Sequence, residues 1–227
     1  MTFREFLSLG STWIIILPFV VGSILFAYLT FNSKLVLLLV ILGLIPHVFF
    51  GVSSKFPGLP INFSFNLYAI IEFIIMFIIC RSVIQSNFPY FTAVRRWTFL
   101  SSIVLYVFIS TFLILRHGIR HVFVSELVFV NSFMFTAWIL LYFYLILIDD
   151  RSEFTFQHST TWYFISYLLF SATSALVFIF WNYKASGIII LKSFSYIKNL
   201  FNIVLYVFIA AGFFMDYKNS KKCMKIS

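Results

Sequence analysis

A carboxylate, Glu72, lies inside the apolar stretch NLYAIIEFIIMF, which covers residues 66–77. An ionisable group inside a membrane-spanning helix costs about 2.5–3.5 kcal/mol on insertion scales, so it marks a functional site by default. Tyr68 and Met76 lie one turn away on either side, at i−4 and i+4, and share its helical face. We therefore expect Glu72 either to line a site or to fix helix register through a hydrogen bond to a neighbouring helix.

A second polar feature is a stripe in the last apolar segment of the chain. Its four residues are spaced i, i+4, i+7 and i+11, which places them on one face of a helix: Ser195, Asn199, Asn202 and Tyr206. Exposure of such polar side chains to lipid is energetically unfavourable. The stripe therefore predicts either hydrogen bonds between helices or one wall of a wet cavity.

Two further polar residues, Asn131 and His47, are expected at a depth similar to that of Glu72 and Asn202. Together these side chains would form one polar layer in the outer half of the membrane. The predicted ligand pocket consists of Tyr68, Glu72, Asn131, Ser195, Asn199, Asn202 and Tyr206.

The segment RHGIRH (116–121) offers different chemistry, because His117 and His121 are spaced i and i+4. On a helix, that spacing lets two imidazoles bind one metal ion. Glu126 follows closely and His47 is expected on the same side, so these four residues are the candidate zinc ligands. The alternative is that the histidines and flanking arginines anchor the chain to lipid headgroups. Apart from zinc, no cofactor is predicted.

The elements that position these residues are membrane helices. Of the 227 residues, 62% are hydrophobic and 10% charged, whereas a soluble domain carries about 25% charged residues. A bilayer core needs about 20 apolar helical residues, which predicts an all-α bundle in a single transmembrane domain over residues 1–227. Its seven predicted spans are 12–31, 35–52, 66–85, 98–116, 125–148, 161–183 and 194–215. With 33 Phe and 8 Gly, we expect aromatic rings rather than small residues between the helices.

The distribution of Lys and Arg predicts the orientation. Seven spans place the termini on opposite sides, and nine of the 16 basic residues then lie on the side of the C-terminus. That side holds the pair Arg95–Arg96 and the basic tail, residues 216–227. By the positive-inside rule it is cytoplasmic, so we expect the N-terminus outside and the C-terminus inside a bacterial inner (plasma) membrane.

The formal net charge of +9 does not predict nucleic-acid binding, because the basic residues are scattered singly between apolar runs. Anionic lipid headgroups suit that pattern better, so membrane lipids, with a membrane or cytoplasmic protein, are the expected partners. No P-loop and no Gly-x-Ser-x-Gly elbow is present, and the last span has no deep lysine for a retinal Schiff base between Asn199 and Met215.

Three aromatic motifs carry a resemblance: NLYAIIEF (66–73), TTWYFISYLLF (160–170) and NIVLYVF (202–208). In these motifs and in the order of its elements, the chain resembles a group of small multi-span bacterial membrane proteins that has no established activity. The resemblance implies that the positions to watch are Asn66, Tyr68, Glu72, Trp162, Tyr163, Asn202 and Tyr206.

Three functional hypotheses follow from these features. The leading one is a non-enzymatic sensor or accessory membrane protein with a polar pocket around Glu72. The second is a metal-dependent membrane enzyme that acts on lipid, using the histidines near residue 117. The third is a proton-coupled carrier of small solutes in which Glu72 binds the proton.

Overall fold

The computed structural model describes residues 10–11, 13–52, 61–90, 92–118, 124–148, 158–182 and 188–224. Within these ranges, the side chains of residues 50–52, 92–95, 125, 178–182, 188–195 and 224 are not described. The described residues form helices and no strand, which confirms the predicted all-α class. The helices are α1 (Ile16–Ile24), α2 (Phe31–Val52), α3 (Ile61–Asn87), α4 (Thr92–His117), α5 (Ser125–Ile148), α6 (Ser159–Asn182) and α7 (Ile188–Met224), with a 3-10 turn at Phe26–Tyr28.

Five stretches of helix are long and apolar enough to cross a membrane: Phe31–Phe49, Ile61–Asn87, Arg96–His117, Glu126–Ile148 and Tyr196–Cys223. They lie within α2, α3, α4, α5 and α7 and correspond to five of the seven predicted spans. The chain is therefore a helical membrane protein. The sixth predicted span coincides with α6, a helix of 24 residues.

The first predicted span, 12–31, is not one continuous helix. A turn at Ile14 and Ile15 precedes α1, which is 9 residues long. Pro18 lies in the first turn of α1, the one place where a helix tolerates its missing N–H. The helix ends at Ile24, and after the 3-10 turn the backbone of Leu29 is extended. Seven spans and the orientation of the termini stay predictions.

The chain divides into two compact units, each described by itself. The first comprises Met1–Ile41 and Phe154–Ser227, and the second comprises Leu42–Glu153. In the first unit, α7 packs most extensively on α6 and also contacts α1. Gly212 permits this close approach, because a Cβ atom there would collide with the ring of Tyr163.

In the second unit, α3, α4 and α5 pack against one another. Buried residues of α3 recur every three or four positions, which is the spacing of a helix seam; they include Asn66, Ala69, Phe73, Met76, Cys80 and Val83. At the centre the Phe73 ring stacks on Tyr106 with ring centroids 3.4 Å apart. The Trp138 indole contacts Phe73 at 5.3 Å. This aromatic packing between helices confirms the prediction drawn from the Phe and Gly content.

Candidate functional site

Glu72 lies near the middle of α3 rather than close to its start. The helix begins at Ile61 and ends at Asn87, so 11 residues, or about 16 Å at 1.5 Å per residue, separate Glu72 from its first residue. The predicted span begins at residue 66 and gives only about 9 Å. The side chain is half-buried, beside the buried seam formed by Phe73 and its neighbours.

Two polar side chains hold the carboxyl group of Glu72. The Tyr68 hydroxyl donates to Oε1 across 3.4 Å, which confirms that these residues share a helical face. The Asn131 amide, on α5, forms a second hydrogen bond to the carboxyl group. Asn131 also donates through Nδ2 to the carbonyl oxygen of Ala69 at 2.6 Å. Asn131 therefore joins α5 to α3 directly beside Glu72.

Tyr106, on α4, completes this group of four residues, which we name the Glu72 cluster: Tyr68, Glu72, Tyr106 and Asn131. The Tyr106 ring is 4% exposed, and its hydroxyl interacts electrostatically with the Glu72 carboxyl group. Sequence reasoning missed Tyr106, because a tyrosine in an apolar helix is indistinguishable from an ordinary core aromatic residue.

The Glu72 cluster contains buried polar atoms that no described residue satisfies. Neither Oδ1 of Asn131 nor the hydroxyl of Tyr106 has a hydrogen-bond partner among the described residues. A buried polar group without a partner costs about 1–3 kcal/mol, so such atoms are rare in folded proteins. The two atoms offer an acceptor and a hydroxyl beside a carboxyl group, a set that can hydrogen-bond a small polar molecule.

Asn66, six residues before Glu72 on α3, has a structural role. Its Oδ1 accepts a hydrogen bond from the backbone N–H of Val124 at 2.9 Å, directly before α5 begins. This contact fixes the start of α5 against α3. It thereby sets the register that brings Asn131 to Glu72.

The polar stripe lies on α7, in the first unit. Nδ2 of Asn202 donates to the carbonyl oxygen of Ser11 at 2.8 Å. This contact is of the kind expected if the stripe forms hydrogen bonds within the bundle rather than one wall of a wet cavity. Tyr206 is buried and Asn199 is half-buried. The side chain of Ser195 lies outside the described residues.

Two of the four predicted zinc ligands meet in the second unit. Nε2 of His117 lies 3.8 Å from Oε1 of Glu126. Gly118, at φ 75°, ends α4 in the left-handed conformation that favours glycine, and His121 is outside the described residues. The His47 ring packs on Phe65 with centroids 6.2 Å apart. In the described part of the chain, no three His, Cys, Asp or Glu residues are grouped to bind a metal.

The first unit holds a hydrogen-bonded chain that the sequence did not predict as a unit. The Tyr163 hydroxyl donates to Oγ of Ser33 at 2.9 Å, and Oγ of Ser33 lies 2.9 Å from Oγ1 of Thr30. Thr30 donates from Oγ1 to Oδ2 of Asp216 at 3.0 Å. Because the single hydroxyl proton of Thr30 is used there, Ser33 must donate to Thr30. All three hydroxyl donors therefore point in one direction along the chain, which ends at the carboxylate.

One signal of this chain is present in the sequence. Asp216 is the only acidic residue of α7, which has 37 residues, and Tyr163 is among the positions implied by the family resemblance. No spacing rule, however, connects Thr30 to Asp216, which is 186 residues away.

No protein-family model, curated protein or solved structure matches this chain. The resemblance to small multi-span bacterial membrane proteins therefore stays a prediction, and the functional argument depends on the geometry of the two units alone.

Proposed function

We propose that the protein is a non-enzymatic membrane protein of the sensor or accessory class, in which the Glu72 cluster binds a small polar ligand. The observation that carries this proposal is a pair of buried atoms beside the Glu72 carboxyl group, Oδ1 of Asn131 and the Tyr106 hydroxyl, that have no hydrogen-bond partner in the described part of the chain. A purely structural cluster would have paired these atoms within the protein. A binding site holds them ready for the ligand.

The proposal includes seven spans in the inner (plasma) membrane of a bacterium, with the N-terminus outside and the basic tail inside. The length of α6, 24 residues, supports a sixth crossing, since about 20 residues suffice. In this orientation α3 begins on the outer side, and Glu72 is closer to that end than to the cytoplasmic end. The ligand thus enters the predicted pocket from outside. A reporter fused to the C-terminus that is active only outside the cytoplasm would contradict this orientation.

The sensor or accessory role is tested against a carrier in proteoliposomes that contain a pH-sensitive dye. We expect wild-type protein and the Glu72→Gln variant to give the same proton flux when a gradient is applied. Gln keeps the size of the side chain and its hydrogen-bonding capacity, so it serves as the matched variant. Proton uptake by the wild-type protein that Glu72→Gln abolishes would overturn the proposal in favour of a proton-coupled carrier.

The same preparation tests the proposal against a metal enzyme. We expect zinc far below one ion per chain in protein purified without chelators, and no change in that content after His117→Ala. Stoichiometric zinc that His117→Ala removes would favour a lipid-directed metal enzyme, with Glu126 and residues outside the described part of the chain completing the ligand set.

A further inference from the structure

The first unit contains a polar cavity of about 640 Å³. Its walls are the amino-terminal ends of α2 and α6 and the last turns of α7. The lining contains several hydroxyl and amide side chains, among them Asn32, Ser159, Thr160, Asn219 and Ser220. The Glu72 cluster lies in the other unit, so this cavity is separate from the proposed function described above.

Asp216 is the one carboxylate among the described lining residues, which also include His158. It is 4% exposed, although the chain as a whole carries a net charge of +9. A buried carboxylate is costly unless hydrogen bonds or a cation compensate its charge. The lining of this cavity therefore differs in sign from the rest of the protein.

The two carboxylate oxygens of Asp216 differ in their hydrogen bonding. Oδ2 accepts from the Thr30 backbone N–H at 2.9 Å and from the Thr30 hydroxyl at 3.0 Å. Oδ1 accepts no hydrogen bond from the described residues. The chain from Tyr163 through Ser33 to Thr30 holds the carboxylate in one orientation, because rotation would break the bonds to Oδ2. Asp216 lines the cavity, and Oδ1 is the carboxylate oxygen left to accept from a ligand.

The charge and geometry select among ligand classes. An anion would be repelled by the buried Asp216 carboxylate, and no Lys or Arg is among the described lining residues. A quaternary ammonium group is recognised by a cage of aromatic rings, and Tyr28 is the one aromatic residue of the described lining. A primary ammonium group has three N–H donors. It can place one on Oδ1 and the others on hydroxyl or amide oxygens.

We propose that this cavity binds a primary ammonium group, with Oδ1 of Asp216 as its anionic acceptor. Two sources share that chemistry: the headgroup of phosphatidylethanolamine and a soluble amine such as ethanolamine. The hydroxyl oxygens of Ser159, Thr160 and Ser220 are the neutral acceptors available in the same wall.

The test uses full-length protein in two arms. Calorimetric titration in phosphatidylcholine nanodiscs compares ethanolamine with choline, which lacks N–H donors. Native mass spectrometry from nanodiscs of mixed phosphatidylethanolamine, phosphatidylcholine and phosphatidylglycerol identifies the retained lipid. We expect ethanolamine or phosphatidylethanolamine to bind in preference to the quaternary compounds. Binding in the first arm identifies a soluble amine, and retention in the second arm alone identifies the lipid.

Three variants make the test specific. Asp216→Asn keeps an oxygen to accept from Thr30 but removes the charge, so binding should weaken about tenfold to hundredfold. Thr160→Leu narrows the cavity without touching that carboxylate and should also weaken binding, which keeps the proposal testable if Asp216→Asn fails to fold. Ser101→Ala, at an exposed position of α4 in the second unit, is the control and should bind like the wild type. Equal binding of choline and ethanolamine, preference for phosphatidylglycerol, no binding in either arm, or unchanged binding by Asp216→Asn would each overturn the proposal.

Discussion

Removal of the Tyr106 hydroxyl should stabilise the protein, although most changes to a buried side chain do the opposite. The ring of Tyr106 stacks on Phe73, and Tyr106→Phe keeps that stack. The hydroxyl has no hydrogen-bond partner among the described residues. Its removal therefore eliminates a desolvation penalty of about 1–3 kcal/mol. At about 2–4 °C per kcal/mol for a chain of this size, we expect a rise of at least about 2 °C in Tm.

Tyr68→Phe is the matched control, because it removes the same atom from a tyrosine of the same cluster. The Tyr68 hydroxyl donates to Glu72 across 3.4 Å, and this long hydrogen bond is worth about 1 kcal/mol. We expect Tyr68→Phe to lower Tm by about 2–4 °C. The assay is thermal unfolding of purified protein in detergent micelles, followed by tryptophan fluorescence and compared in one lipid and detergent composition.

The comparison between the two variants refutes the reasoning if they behave alike. A fall in Tm for Tyr106→Phe equal to that for Tyr68→Phe would mean that the Tyr106 hydroxyl has a stabilising partner. The Glu72 cluster would then be satisfied internally, and the argument that it binds a ligand would lose its basis.

Three further variants test the packing that positions the two sites, each by its Tm. Gly212→Ala should destabilise by about 1–3 kcal/mol, because the new methyl group would overlap the ring of Tyr163; Gly10→Ala, where the nearest atom is 3.8 Å away, should change little. Asn66→Ala leaves the buried backbone N–H before α5 without its acceptor and should cost about 1–3 kcal/mol; an unchanged Tm would show that α5 is held by other contacts. Asn202→Ala removes the hydrogen bond to a backbone carbonyl and should cost about 0.5–1.5 kcal/mol, whereas an unchanged Tm would show that this bond does not stabilise the packing of α7.

The apolar runs predicted the helical class and seven spans, and five of those spans coincide with helices long and apolar enough to cross a membrane. Hydropathy succeeds there because it depends only on local sequence. The contact of Tyr68 with Glu72 was predictable for the same reason, since i and i+4 meet on any helix. The break in the first predicted span could not be predicted from hydropathy, because hydropathy does not register Pro18 or the extended backbone at Leu29.

Contacts between segments far apart in the sequence could not be predicted from residue spacing. Asn131 was chosen for its expected depth, and the packing of α5 on α3 brings it to Glu72. The bond from Thr30 to Asp216 spans 186 residues, and each partner alone resembles an ordinary residue at a helix end. A sequence indicates which polar residues are out of place in lipid, but helix packing decides which of them meet.

The central claim is that the Glu72 cluster forms a polar site open to the outer side of the membrane, and thiol accessibility tests it most directly. In a Cys80→Ala, Cys223→Ser background, Glu72→Cys is compared with Ile74→Cys, whose position is apolar and 50% exposed on the same helix. A membrane-impermeant methanethiosulfonate is added to the outside of intact cells. The account predicts modification at position 72 and none at position 74, which it places against lipid. No modification at position 72, or equal modification at the two positions, would contradict it.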